Sequence, residues 1–155
     1  MLRGFLRRVI EREKLREERL REIASRFNMT IVLFGSRARG KSTPASDYDL
    51  LVIYDDPAEL EELLRELRSA RIPADVHAFN LAEALNTMPT STIILDALEE
   101  GVVLREGISL KPLRERLVAL KSAGYRKEAE GWVMRIGERC SGGLRSCQVI
   151  SPGAD

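Results

Sequence analysis

The chain has 155 residues, with 25 Lys and Arg against 24 Asp and Glu and a formal net charge of +1. That length holds one real hydrophobic core and a helical appendage, and the charge balance excludes a global pull toward nucleic acid or membranes, although a local basic face leaves nucleic acid open as an acceptor. Two cysteines, Cys140 and Cys147, lie in a Gly- and Ser-containing stretch without metal-site spacing, and with no secretory or membrane-length apolar run the expectation is a soluble, cytoplasmic protein.

Residues 2–27 carry a helical period. Leu2, Phe5, Leu6, Val9 and Ile10 share one apolar face, and Leu20, Ile23, Ala24 and Phe27 continue it in the same phase. Between them the Glu- and Arg-rich segment reads as a solvated helix laced by ion pairs one turn apart. The Leu2–Ile10 patch extends beyond what a small core needs and reads as a surface for a second subunit or a partner.

The richest stretch follows. Ile31 to Phe34 is an apolar, β-branched run that stops at Gly35-Ser36, passes through a basic turn, and resumes as Asp47-Tyr48-Asp49 before a second apolar run. Alternation along a strand puts Asp47 and Asp49 on one side, their Cα atoms roughly 7 Å apart, where both carboxylates can lean onto shared cations. Hard ions such as Mg²⁺ take one or two carboxylates and complete their shell with phosphate oxygens and water. Gly35, Ser36, Arg37, Arg39 and Lys41 supply N–H groups, a hydroxyl and three cations that would cradle a triphosphate opposite the metals.

Gly35 to Ser42 also reads GSRARGKS, which satisfies the phosphate-loop pattern of NTPases letter for letter. Such a loop must open a helix that crosses back over the sheet. Only Thr43-Pro44-Ala45-Ser46 intervenes before Asp47, and the proline leaves no room for that helix. A phosphate-loop NTPase is therefore the lesser reading.

Asp56-Pro57-Ala58-Glu59 marks the start of a helix whose stripe is Leu60, Leu63, Leu64 and Leu67. It delivers a strand at Ala74–Phe79, which carries Asp75 toward the first two aspartates and His77, the only histidine, on the same face. His77 reads as a partly buried strand residue beside the site, and Tyr48 as packing on the opposite face. Asn80 caps a short helix broken near Met88-Pro89, Thr92–Glu100 forms another that Gly101 stops, and Val102–Arg105 is a short last strand. Beyond Gly107, Leu113, Leu117 and Leu120 define a helix, and Tyr125, Trp132, Val133 and Ile136 read as a second helical piece packed on the parent domain. The expected layout is α/β in the α+β sense: a mixed sheet of about four strands flanked by helices over 1–107, a helical extension over 108–138 and a flexible tail over 139–155.

Gly35-Ser36, ten intervening residues and Asp-x-Asp together resemble the DNA polymerase β-type nucleotidyltransferase superfamily. More narrowly, Gly-Ser-Arg-Ala-Arg-Gly at 35–40 is similar to the turn of the small minimal nucleotidyltransferases of bacteria and archaea, over about residues 20–106. The resemblance implies a Gly-Ser turn that holds nucleotide phosphates and metals held by Asp47 and Asp49. Asp75 stands at the position of the third acid, as metal ligand or general base. It further implies two Mg²⁺ ions, with Mn²⁺ able to substitute, and transfer of a nucleoside monophosphate, AMP from ATP, to a hydroxyl acceptor with release of pyrophosphate. Small members resembling this chain are often antitoxins paired with a helical HEPN-type toxin partner, so the resemblance also implies such a partner, and a homodimer is the other expected assembly. A weakly catalytic or non-catalytic partner-binding module is the reading from a different class.

Overall fold

A computed structural model of the chain describes residues 1–43, 45–135 and the strand 147–149. The helical period at the start becomes α1 (Leu2–Ser25), and the first apolar run becomes β1 (Thr30–Phe34), which enters α2 (Gly35–Ala38), a single turn, before the chain returns as β2 (Tyr48–Ile53). The Asp56 carboxylate accepts from the Ala58 N–H at 3.0 Å and Pro57 fills the first position of α3 (Pro57–Ser69), which crosses to β3 (Ala74–Phe79). Asn80 and Glu83 exchange reciprocal hydrogen bonds at the start of α4 (Leu81–Thr87). A 3₁₀ turn at Met88–Thr90 leads to α5 (Thr92–Glu100), whose N-cap is Ser91. Each such cap is worth about 1 kcal/mol, and together they fix where the helices begin. β4 (Val102–Glu106) and α6 (Lys111–Ser122) follow.

The main sheet has the order β3-β2-β1-β4. β1 is antiparallel to β2 and to β4, while α3 makes β2 and β3 parallel. This topology removes the phosphate-loop reading. The strand that follows the basic turn is an antiparallel neighbour, and α2 is four residues long rather than a crossover helix.

Both faces of the sheet are covered, which is why β1 is buried along its whole length. One face, with Ile31, Leu33, Leu50 and Val52, packs under Leu20, Ile23, Ala24 and Phe27 at the end of α1 and Leu63 and Leu67 of α3. The other, with Val32, Phe34, Leu51 and Ile53, packs on Met88, Ile94 and Leu95 and on Leu113 and Leu117 of α6. The period of two along the strands thus sorts the chain into three layers.

The second helical piece expected after Gly124 is instead a pair of strands, β5 (Tyr125–Glu128) and β6 (Gly131–Arg135), with β7 (Cys147–Val149) alongside as the third strand of an antiparallel sheet. Gly124 and Gly131, at φ of 119° and 123°, break any helix at both ends of β5. The seven-residue spacing of Tyr125 and Trp132 that imitated a helix period arises because Lys127 pairs with Trp132 and Tyr125 with Met134, so both aromatics face one side. Both are buried in the second core: the Tyr125 hydroxyl donates to the Pro89 carbonyl at 2.9 Å and Trp132 Nε1 donates to Asp96 at 2.8 Å. Packing on the parent domain is therefore what this segment does. Cys140, Ile136 and, apart from β7, the tail expected over 139–155 lie outside the described residues.

α1 behaves differently along its length. Its last turns are core, its middle carries ion pairs such as Arg19–Glu22 and Arg21–Glu17 with both partners half-exposed, each worth well under about 1 kcal/mol, and its first turns leave Leu2, Phe5, Leu6 and Ile10 exposed. Among the described residues no helix is long and apolar enough to cross a membrane.

Candidate active site

The site forms where β1 ends and β2 begins. Phe34, the last residue of β1, pairs with Asp49 of β2, so Gly35 lies directly beside the Asp49 side chain. Gly35 has φ of 75°, a region open to glycine, and a Cβ there would run into the Asp49 carboxylate. The motif glycine is thus required twice: once by the turn and once by the acid that it cradles.

The parallel pairing of β2 and β3 places Asp75 directly opposite Asp49. Asp47 precedes β2 by one residue and is exposed, Asp49 is half-buried, and the Asp75 side chain is 60% exposed. The Asp49 carboxyl is held above the usual carboxylate range, chiefly by burial and then by the charge of Asp75, with Asp47 adding to the rise and His77 and Arg39 opposing it. Asp75, Asp47, His77 and Arg39 therefore all bear on Asp49. His77 Nε2 lies 3.3 Å from Asp75 Oδ2, and its ring tilts against Phe34 with centroids 5.9 Å apart. The expectation of a partly buried histidine beside the site is met, and its partner is Asp75.

Hard carboxylate oxygens are the donor chemistry of Mg²⁺ and Mn²⁺, and a cation at Asp49 would offset both the burial and the neighbouring Asp75 charge that raise its pKa. As the side chains stand, no three Asp, Glu, His or Cys among the described residues close around one point. Asp47 and Asp75 are exposed to solvent, and Asp75 touches His77. The residues present fit a divalent cation in kind, and the strand register sets Asp75 beside Asp49.

The cations of the turn divide. Arg39 is part-exposed and lies 3.5 Å from Glu100 at the end of α5; Lys41 is exposed and makes no ion pair among the described residues. Arg37, expected as a phosphate ligand, is turned away from the acids. Its side chain is only 7% exposed and its guanidinium stacks 4.0 Å over the ring of Tyr48, which points to the face of β2 opposite Asp47 and Asp49. It donates to the Ser46 carbonyl from Nε at 3.0 Å and Nη2 at 2.7 Å, to the Thr43 carbonyl at 3.3 Å and to both carboxylate oxygens of Glu13 on α1 at 3.0 and 3.2 Å. Burial works to lower its pKa, but the bond to Glu13 together with the charges of Tyr48, Glu13 and Glu17 carries the net shift upward. A guanidinium forked onto a carboxylate in this way is held far more tightly than a surface pair.

Two residues of this neighbourhood carry no local signal. Glu13 sits in a run of similar Glu and Arg residues, and Glu100 is one of two glutamates at a helix end; only long-range packing distinguishes them. Tyr48, read as packing, is buried with its hydroxyl unpaired among the described residues, and burial foremost raises its pKa.

No curated protein matches the chain. Among solved structures, a crystal structure of a toxin-antitoxin with AMP-PNP is similar at 23% identity, over 60% of this chain and 73% of that one, with a TM-score of 0.42, a likeness too low to carry an inference about partner or ligand. The model of the nucleotidyltransferase domain family matches residues 12–115, more than half of the chain and the whole of the strand, turn and acid arrangement above. With that match over a four-stranded mixed sheet flanked by helices, the chain belongs to the nucleotidyltransferase domain family.

Proposed function

We propose that the protein transfers a nucleoside monophosphate, AMP from ATP, to a hydroxyl acceptor and releases pyrophosphate. The observation that carries this reading is the wedging of the Asp49 carboxylate against the Cα of Gly35, with Asp75 in register beside it. Asp47, Asp49 and Asp75 would hold divalent cations, which when bound supply activation of the attacking oxygen and neutralisation of phosphate charge. The Gly35-Ser36 turn receives the phosphates, since the first N–H groups of a helical turn have no carbonyl of their own to bond. Arg39 and Lys41 add positive charge on the exposed side.

The acceptor oxygen forms a bond to the α-phosphorus while the bond from that phosphorus to the pyrophosphate oxygen breaks. The proton of the acceptor hydroxyl passes to Asp75, an exposed acid in register with Asp49, with His77 in contact to carry it onward. Purified protein incubated with Mg²⁺ and each NTP labelled at the α-phosphate should transfer label to an acceptor and liberate unlabelled pyrophosphate, and Asp47→Asn should abolish this without unfolding the chain. Release of labelled nucleoside diphosphate and free phosphate would instead mark an NTPase.

A second reading is favoured by the exposed Leu2, Phe5, Leu6 and Ile10 on α1. In it the protein acts chiefly as the antitoxin-like partner of a helical HEPN-type protein. Absence of transfer with every nucleotide, together with a defined partner complex that Leu6→Glu disrupts, would favour it; efficient transfer to a small hydroxylated compound counts against it.

A further inference from the structure

Arg37 is the most deeply placed cation of the motif turn, and its bonds run to backbone and to α1 rather than toward the acids. The Ser46 carbonyl belongs to the peptide unit whose N–H is that of Asp47. Two donations from Arg37 therefore fix the plane of the peptide that leads into Asp47. On the far side of Asp47, the Tyr48 N–H is anchored to the Pro73 carbonyl at 2.8 Å, and the Tyr48 ring forms the floor on which the guanidinium lies. Glu13 closes the assembly from outside, gripping the guanidinium end-on and itself touched by Arg16 at 3.7 Å. Among the described residues between Lys41 and Asp47 the other anchors are local: the Lys41 N–H to Ser36, the Ser46 N–H to Thr43 and the Thr43 N–H to the Ser46 hydroxyl.

We infer that Glu13 and Arg37 are positioning residues for Asp47, a strut from α1 through the guanidinium to the Ser46–Asp47 peptide. The inference rests on the proposed function for what Asp47 does, but not for where it is held. Asp47 is the one acid of the three outside the strands, so sheet pairing alone does not place it; the strut does. α1 thereby becomes part of the active-site scaffold, although Glu13 lies on its exposed middle and touches no proposed substrate group.

The test compares Glu13→Gln, Arg37→Lys and the double variant with the parent chain, each first checked for an intact thermal transition. Without metal or nucleotide, amide hydrogen exchange over residues 45–48 should accelerate by about ten- to a hundredfold in both single variants while β1 and β3 stay protected. In the transfer assay both should raise the half-saturating Mg²⁺ and lower turnover by about ten- to a hundredfold, the range for losing a group that orients a metal ligand. Nucleotide affinity measured without metal should change by less than about twofold, and the double variant should be no worse than the weaker single one, because one strut is broken either way. Unchanged exchange in Glu13→Gln would overturn the inference. So would loss of metal-free nucleotide binding in Arg37→Lys with Glu13→Gln at the parent level, which would make Arg37 a phosphate ligand. If the parent chain transfers nothing, the proposed function falls while the exchange measurement still decides the strut.

Discussion

Replacing Gly35 with alanine adds one methyl group and incurs two separable penalties. The first is conformational: at φ of 75° an L-residue is strained, at a cost of roughly 1–2 kcal/mol. The second is steric, since the new Cβ collides with the Asp49 carboxylate, which must move away from Asp75 or force the turn open. Together they should destabilise the fold by about 1–3 kcal/mol, a fall in Tm of roughly 2–10 °C for a domain of this size. The displaced acid should lower transfer much further, by about a hundredfold, as misplacing a reacting group by about 1 Å does. Gly40 provides the control. Its φ is 69°, and a Cβ there meets nothing within 4 Å. Gly40→Ala should therefore match the conformational part of the stability loss and keep most of the activity. Melting curves and transfer kinetics on the two variants decide the matter. Equal activity losses, or full activity in Gly35→Ala, would refute the assignment of Gly35 as the cradle of Asp49.

Asp49 also predicts a pH dependence. Its folded-state pKa is raised, so the folded chain takes up a proton more readily than the unfolded one; the associated stability is present below the ordinary carboxylate pKa and is lost as pH rises through the folded value. At neutral pH the metal-free Asp49→Asn variant should be as stable as the parent chain or more so, by under about 1 kcal/mol because the carboxyl is only half-buried and solvent screens it, with the advantage fading in acid; a variant clearly less stable at pH 7 would contradict this. Glu100→Gln releases Arg39 from its ion pair and should tighten nucleotide binding by up to about fivefold, an effect that must vanish in an Arg39→Ala background. Trp132, the only tryptophan and fully buried, should report unfolding by a red shift of its emission, and Trp132→Ala should cost about 3–5 kcal/mol, enough to lower Tm by roughly 6–20 °C if the terminal strands are integral to the second core.

What was legible in the sequence was local or periodic. The β1–turn–β2 unit declared itself because two apolar runs, two positive-φ glycines and an Asp-x-Asp fall within 24 residues. Asp56 and Asn80 announced their helices by cap chemistry that involves only neighbours. Asp75 was placed by topology, since a helix between two strands makes them parallel and brings strand starts to one edge. What the sequence left hidden shares a cause. Tyr125 and Trp132 lie at a spacing common to a helix and to a hairpin whose register is set across the turn, and the deciding contacts, to Pro89 and Asp96, are more than 30 residues away. Arg37 stands in the motif turn, and its guanidinium is bound by Glu13, 24 residues upstream, which no local pattern announces. A motif specifies which residues are near a turn; which way a long side chain leaves it depends on the helix laid across the other face.

The most direct measurement is nucleotidyl transfer itself, followed with α-labelled ATP and the other three NTPs in the presence of Mg²⁺, for the parent chain and for Asp47→Asn. A family match over residues 12–115 and an Asp49 carboxylate set against Gly35 with Asp75 in register beside it lead to label on a discrete acceptor, stoichiometric pyrophosphate, and loss of both in the variant. Transfer that persists undiminished in Asp47→Asn, or a parent chain that binds NTP with metal but moves no label to any acceptor, would contradict the catalytic reading.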